Sequence, residues 1–329
     1  MRRNNKETIV DFDNSIQKSN EFSMAKLNQG LTLNQMQLLA FAIYCTQQDG
    51  KTEFHKADFE KKFGIEKYQT GQCKKDVPKL SRLQFSIVDL EKDIVDYMNV
   101  FQRIRYESGL FTFKWSDDMV QHILDLKDLY LTTDLGIASQ FKSSFSWTLY
   151  DYLKAHYGYW HKNISKVALL NLFGISENKS YQINTGMLKR RVLDVAIAEI
   201  NKYTELEVWY VEKKEGRSIV GFDIHWSTGE KVVAATKAQM EELETILNVI
   251  EKDMFRYVDL KNNEDREEAL MIVKKSVEMR ANIEDNNLTK EYANRLLLDA
   301  KWSLSTLEKF LQQDNSKAPV FYNWLEDVE

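Results

Sequence analysis

From residue 19 onward the chain alternates between stretches whose apolar residues recur every three to four positions and stretches where they recur every second. The first pattern predicts amphipathic helices, the second half-buried strands. SNEFSMAKLNQ, with Phe22, Met24 and Leu27, reads as a helix that Gly30 ends. Thr32 stands where a cap belongs, before LNQMQLLAFAIYCTQ, in which Leu33, Met36, Leu39, Ala40 and Ile43 keep helical spacing. Asp49–Gly50 is a turn, 57–65 a short helix closed by Gly64, and 69–85 a third helix disturbed or bounded by Pro78. The period then changes to two. FSIVDL, VDYMNVFQRIRYES and GLFTFKW read as strands, with Ser108–Gly109 as the hairpin turn.

The order then returns. Residues 143–160 form an aromatic helix, 164–175 a short helix closed by Gly174, and 183–204 a long helix capped by Asn184 or Thr185. Residues 205–226 are a hairpin with strands EVWYV and SIVGFDIHW and KKEGR at its tip. Three helices followed by a hairpin is the order of a winged helix, and it occurs twice without sequence repetition. Beyond 227–231 the pattern is helical throughout, and ends in an aromatic tail, APVFYNWLEDVE. The expected fold is α+β, predominantly helical: two tandem winged-helix domains followed by a small all-α C-terminal domain. The expected boundaries are an N-terminal arm at 1–18, winged helices at 19–140 and 141–229, and the helical domain at 230–329.

Composition narrows the class. Across 329 residues, 43% hydrophobic and 29% charged, there are only 2 Pro and 2 Cys. That describes ordinary folded domains with neither a disulfide scaffold nor a cysteine-rich zinc module, suited to a reducing cytoplasm. No apolar run approaches the roughly 20 residues of a membrane span, and the N-terminus lacks the apolar core of a secretory signal. The net charge of −5 conceals a division. Residues 1–143 balance, 144–229 carry two excess cations, and 230–329 carry seven excess acids. A basic face is therefore available upstream of an acidic C-terminal block.

Catalytic motifs are missing. Gly50-Lys51-Thr52 resembles the end of a phosphate loop, but Cys45 stands where the loop needs glycine. The five histidines form neither His-x-His nor HExxH, so no metal is expected, and the nickase pattern of a His pair with a tyrosine is absent. No cofactor and no enzymatic activity are expected.

The informative element is the helix at 184–202. At about 100° per residue, Leu188, Val192, Leu193, Val195, Ala196, Ile197 and Ile200 share a broad arc that must be buried. Met187, Arg190, Arg191, Asp194, Ala198 and Asn201 fall on the opposite arc, with Lys189 flanking the core. Three consecutive cations near a helix N-terminus oppose the macrodipole, at a cost of a few tenths of a kcal/mol each. A solvated face is the plain alternative; against it, acceptance of this cost points to an anion nearby. In a winged helix, that end of the third helix enters the major groove, where Arg or Lys donates to guanine or to phosphate, so Asn184 and Thr185 at its start join Lys189, Arg190 and Arg191 as expected DNA contacts. Lys213, Lys214 and Arg217 crowd the hairpin tip, where wings meet phosphates. The first repeat carries a weaker version: Lys74, Lys75, Lys79 and Arg82 on its third helix, then Arg103 and Arg105 near its hairpin.

Four stretches together resemble the iteron-binding replication initiator (Rep) proteins of theta-replicating bacterial plasmids. They are SNEFSMAKLNQGLTLNQMQLLAFAIY, FTFKWSDDMVQHILDLKDLYLTTDL (111–135), FKSSFSWTLYDYLKAHY (141–157) and MLKRRVLDVAIAEINKYTELEVWYVEKKEGRSIVGFDI (187–224). The resemblance covers roughly residues 7–229 and is most specific in the last stretch. It implies two winged helices that read directly repeated origin sites. The second makes most base contacts; the first adds contacts and dimerises. Lys189, Arg190 and Arg191 match the family's basic triplet, and Lys213, Lys214 and Arg217 its basic wing. It also implies a monomer–dimer switch, with dimers repressing the initiator's own promoter, and no nickase or polymerase activity. The acidic block 230–329 departs from the two-domain members and is similar to the extra domain of initiators from low-GC Gram-positive hosts. It suits a protein partner, a host helicase, loader or primase, or self-association, better than DNA. The alternative on the same fold is a transcriptional repressor that binds an inverted repeat as a dimer.

Overall fold

The computed structural model describes residues 2–27, 29–89, 94–126, 129–156, 158–258, 261–284 and 288–313, and these fall into two units, Met1–Lys231 and Val232–Glu329. The aromatic tail at 318–329 lies outside the described residues.

In the first winged helix, Thr32 caps Leu33–Asp49 as expected. Its hydroxyl accepts from the Gln35 amide, while the Gln35 side chain accepts from the Thr32 N–H. Gly50, at φ +63°, ends that helix, and the Gly50-Lys51-Thr52 triplet is a turn. Helices Lys56–Lys62 and Thr70–Leu80 follow. Strand Leu110–Trp115 lies between Phe101–Glu107 and Glu53–His55, all antiparallel, to make the winged-helix sheet. Two expectations shift. The helix from Ser19 stops at Met24, because Lys26–Leu27 pairs with Phe85 and Ser86. The long strand expected over 95–108 is two strands, Ile94–Asn99 and Phe101–Glu107. Buried Val100 divides them, its N–H donating to Leu83 O at 3.0 Å.

The second winged helix comprises helix Ser144–Ala155, strand His161–Ser165, helix Lys166–Leu172, and a long helical run over 185–203. Its wing strands are Leu206–Glu215 and Ser218–Val233. The aromatic helix is shorter than the expected 143–160, and residues 164–165 belong to the strand, because His161–Ser165 pairs with Gly221–His225. Alternation then sorts the sheet. Ile164, Val208, Phe222, Ile224 and Trp226 are buried against the helices, while His161, Trp209, Val211, Asp223 and His225 face outward.

The expected N-terminal arm is a strand instead. Arg3–Val10 lies along Ser218–Val233 at the edge of the second domain's sheet. The Asn4 amide donates to Glu205 O and Ser227 O, both at 3.2 Å, and Lys6 Nζ to Asn201 O and Leu206 O, both at 2.6 Å. Backbone runs so close here that a side-chain carbon on Gly229 would lie 2.1 Å from Lys6 O. Ser15–Ser19 forms a second strand, paired with Tyr130–Asp134.

One continuous apolar core joins the two winged helices. Two contacts fix their joint. Lys18 and Asp151 form a buried ion pair at 2.5 Å, and Asp151 also accepts from Thr133 Oγ1 at 2.9 Å. Gly174, at φ +62°, lies against Gly30 so closely that a side-chain carbon on it would sit 2.5 Å from the Gly30 nitrogen. Only glycine fits such a backbone approach.

The second unit is a bundle of Lys237–Tyr257, Asn263–Glu284 and Lys290–Gln313. Thr236 caps the first helix through a capping box with Gln239. Leu243, Leu247, Ile250, Met254, Ile272 and Ala300 form its interior. Among the described residues no helix is long and apolar enough to cross a membrane.

Candidate nucleic-acid interface

The third helix of the second winged helix starts as the sequence predicts. Asn184 is the cap, its side-chain oxygen accepting from the Met187 amide at 2.9 Å. Thr185 Oγ1 accepts from Lys166 Nζ at 2.8 Å, so both polar residues at this end already have partners in the fold. Lys189–Leu193 then forms a π turn, with the Asp194 N–H reaching back five residues to Lys189 O. The reason is legible in the core. Buried Leu188, Val192, Ala196 and Ile200 are spaced by four, a period that a uniform 3.6-residue helix lets drift. One wide turn takes up part of that drift. It also corrects the helical wheel: Val195, expected on the buried arc, is exposed. Asn201, expected on the open arc, is half-buried and exchanges bonds of 2.8 and 2.6 Å with the Val208 backbone.

The basic triplet rides on this turn and divides by role. Arg190 and Arg191 are exposed and have no intramolecular polar partner among the described residues. Lys189 is half-buried, pairs with Glu212 on the wing strand, and lies 5.9 Å from the Tyr210 ring centre. The other oxygen of Glu212 takes Lys214 at 3.1 Å. The two ammonium groups donate to this carboxylate and hold its pKa below the usual range. Tyr210 OH completes the tie, donating to Asp194 Oδ1 at 2.8 Å. Helix and wing are thereby clamped, with Arg190 and Arg191 left free. At the tip, Gly216 takes φ +60°, and Lys213 and Arg217 are exposed without a partner among the described residues. The sequence reading missed Glu212, Tyr210 and Lys166. An acid between two clusters of cations was the available signal for Glu212.

The first winged helix is less focused. Lys74, Lys75 and Lys79 are exposed along Thr70–Leu80, and Arg82 is exposed just past its end. The inner side of that helix carries buried Asp76, which accepts from Gln35 at 2.6 Å, from Gln72, and from the Tyr68 hydroxyl. Arg103 and Arg105 are exposed on the wing strand, but Arg105 pairs with Glu107 at 2.5 Å, and the Ser108–Gly109 tip carries no cation.

One hydroxyl does meet a base among the described residues: Ser19 Oγ lies 2.8 Å from His122 Nδ1, but both are buried and Ser19 Oγ already accepts from the Phe22 amide as a helix cap, so the pair is built into the fold. Cys45 and Cys73 are both buried, and burial raises both thiols, Cys45 to about 11, opposite to the direction a reactive thiolate needs. One group of metal-type donors does occur among the described residues, where none was expected: His161, Asp223 and His225 on the outer face of the second sheet.

The chain matches the model described as Initiator Replication protein, WH1, over residues 15–154, and that of Initiator Rep protein, WH2, over residues 168–226. The crystal structure of the Pi initiator protein in complex with iteron DNA is similar at 21% identity and a TM-score of 0.50, covering 66% of this chain and 98% of that one. At that identity the likeness speaks for the fold. Domains 2 and 3 of RctB align at 10% identity and a TM-score of 0.38, covering 59% of this chain and 82% of that one. No curated protein matches the sequence.

Proposed function

The chain belongs to the initiator replication (Rep) protein family, and from that premise we propose that it is a non-enzymatic plasmid replication initiator that binds directly repeated origin sites. The observation that carries this reading is the clamp of Lys189 and Lys214 on Glu212, which presents Arg190 and Arg191 beside a basic wing. Arg190 and Arg191 enter the major groove, and Lys213 and Arg217 neutralise phosphates. The fit of Pi, an initiator seen with iteron DNA, over most of its length supports the same placement of the domains.

In this reading the first winged helix adds phosphate contacts through Lys74, Lys75, Lys79 and Arg82 and provides the dimer contact. Monomers bind iterons and open the origin, and dimers repress the initiator's own promoter in the cytoplasm. The acidic bundle recruits a host replication factor, in keeping with apolar side chains that it leaves exposed, among them Leu270, Met271, Leu298 and Trp302.

A binding titration tests the reading. One DNA carries tandem direct repeats from upstream of the gene, the other a scrambled sequence of equal length, each at two salt concentrations. Tight, repeat-specific and salt-sensitive binding is expected. Equal, weak binding to both DNAs refutes it. Deleting residues 232–329 should spare repeat binding and abolish plasmid replication; replication by the truncated protein removes the role assigned to the bundle.

A further inference from the structure

We propose that His161, Asp223 and His225 form a binding site for one divalent transition-metal ion of the zinc type, on the outer face of the second winged helix. The proposal is independent of DNA reading. It rests on a juxtaposition that strand geometry creates. Asp223 and His225 are two apart on Ser218–Val233 and so share a face, and His161 stands opposite His225 in the antiparallel register. Asp-x-His within a strand is the only trace of this in the sequence, because the third donor comes from 62 residues away.

The donor atoms are already gathered. His161 Nδ1 lies 3.1 Å from Asp223 Oδ1, and His225 Nε2 lies 3.2 Å from Asp223 Oδ2. All three groups offer an atom within 4.8 Å of the others. A tetrahedral ion with bonds of about 2.0–2.2 Å needs its ligand atoms about 3.3–3.6 Å apart, so donor atoms that already lie within 4.8 Å of one another must close in by side-chain rotation. Two imidazole nitrogens and one carboxylate oxygen suit zinc, cobalt or nickel, and are too nitrogen-rich for calcium or magnesium. The side chains are 39%, 22% and 16% exposed, which leaves a path for the ion and room for a water as fourth ligand.

Aromatic walls hold the ligands in place. The two imidazoles stack at 5.4 Å, and Trp209 stacks on His225 at 5.6 Å. Trp160 packs on both imidazoles, at 4.2 and 5.7 Å. The Arg2 guanidinium lies over both tryptophans, 5.6 and 5.8 Å from their ring centres. Bound there, the ion would pin strand His161–Ser165 to the root of the wing.

The test is a titration of the tag-free full chain with Co²⁺, followed by visible absorption and tryptophan fluorescence, with Zn²⁺ as competitor. Expected are a tetrahedral-type absorption band saturating at one equivalent, quenching of tryptophan emission, and loss of the band on adding Zn²⁺. Asp223→Asn and His225→Ala should weaken binding at least about tenfold. His55→Gln, which removes an exposed histidine elsewhere, should leave it unchanged. Far-UV circular dichroism checks that each variant is folded. Absence of saturable binding to the wild-type chain overturns the proposal, as does equal affinity in folded Asp223→Asn. If neither variant folds, quenching decides: it should be smaller in Trp209→Phe than in wild type, and equal quenching puts the ion elsewhere.

Discussion

In the first winged helix, the third helix is anchored from inside, by buried Asp76 and the Gln35, Tyr68 and Gln72 donors around it. In the second, the inside of the equivalent helix is aliphatic, and the polar ties are to the wing strand: Asn201 to the Val208 backbone near the far end, and at the basic end the outside clamp of Glu212 on Lys189 and Lys214. An internal anchor is indifferent to solvent and fixes orientation for the sake of the fold. An external one is made of groups that phosphate also attracts, so under the proposed function arriving DNA would compete with the wing acid for the same ammonium groups. The first domain thus keeps its cations on a helix set by the core. The second couples helix, wing and anion.

The largest effect should come from breaking what the two domains share. Asp151→Ala leaves buried Lys18 without its carboxylate and should cost about 3–5 kcal/mol in denaturant unfolding. Both domains should respond in a single transition, since one core joins them. Separate transitions would break the comparison at its root. The same joint has a pH signature. Lys154, half-buried and donating to Thr132 O, has its pKa lowered to about 8, chiefly by desolvation. Between 8 and its ordinary value of 10.5 this lysine is more protonated in the unfolded chain, so its own contribution to stability rises with pH across that window, while Cys45 and Tyr150, whose pKa values burial raises, contribute in the opposite direction at its upper end. Lys154→Met should flatten that rise.

Asp76→Ala removes the internal anchor and should cost about 3 kcal/mol of stability, since buried Gln35 and Tyr68 and half-buried Gln72 lose their acceptor. Repeat affinity of the folded fraction should barely change. Arg190→Ala should do the reverse: stability unchanged, repeat binding weaker by about 1–3 kcal/mol, and one base position relaxed. Equal loss on all DNA would reassign Arg190 to phosphate. Lys79→Ala should lower affinity for every sequence alike and reduce the salt slope by about one. Glu212→Gln should have the smallest effect on folding. It frees two cations, so non-specific affinity should rise and the ratio of specific to non-specific binding fall. An unchanged ratio would show that the clamp does not orient the helix.

Local signals carried most of the architecture. Thr32 and Asn184 cap helices where their spacing predicts, Gly50 and Gly174 take the left-handed turns, and period-two stretches became strands. What stayed hidden depends on distant partners. RNNKETIV is too polar to read as a strand, and its identity as one depends on a partner some two hundred residues away. The π turn arises from a four-residue core period that a uniform wheel smooths over. Glu212 gains meaning only once the helix is folded beside it, and His161 only once it stands across from His225.

The strand Arg3–Val10 makes the second winged helix a discontinuous domain, with the whole first domain threaded between its pieces. A ribosome delivers that strand first and its partner, Ser218–Val233, only after both winged helices have been translated. Until then the early strand has no ladder to join. Dissecting the protein at the domain boundary therefore has a hidden consequence: an isolated fragment 141–231 presents the far half of Ser218–Val233 as a bare edge. Such an edge is a template for another copy of itself, and the fragment should self-associate or aggregate until a peptide of residues 2–10 is supplied in trans.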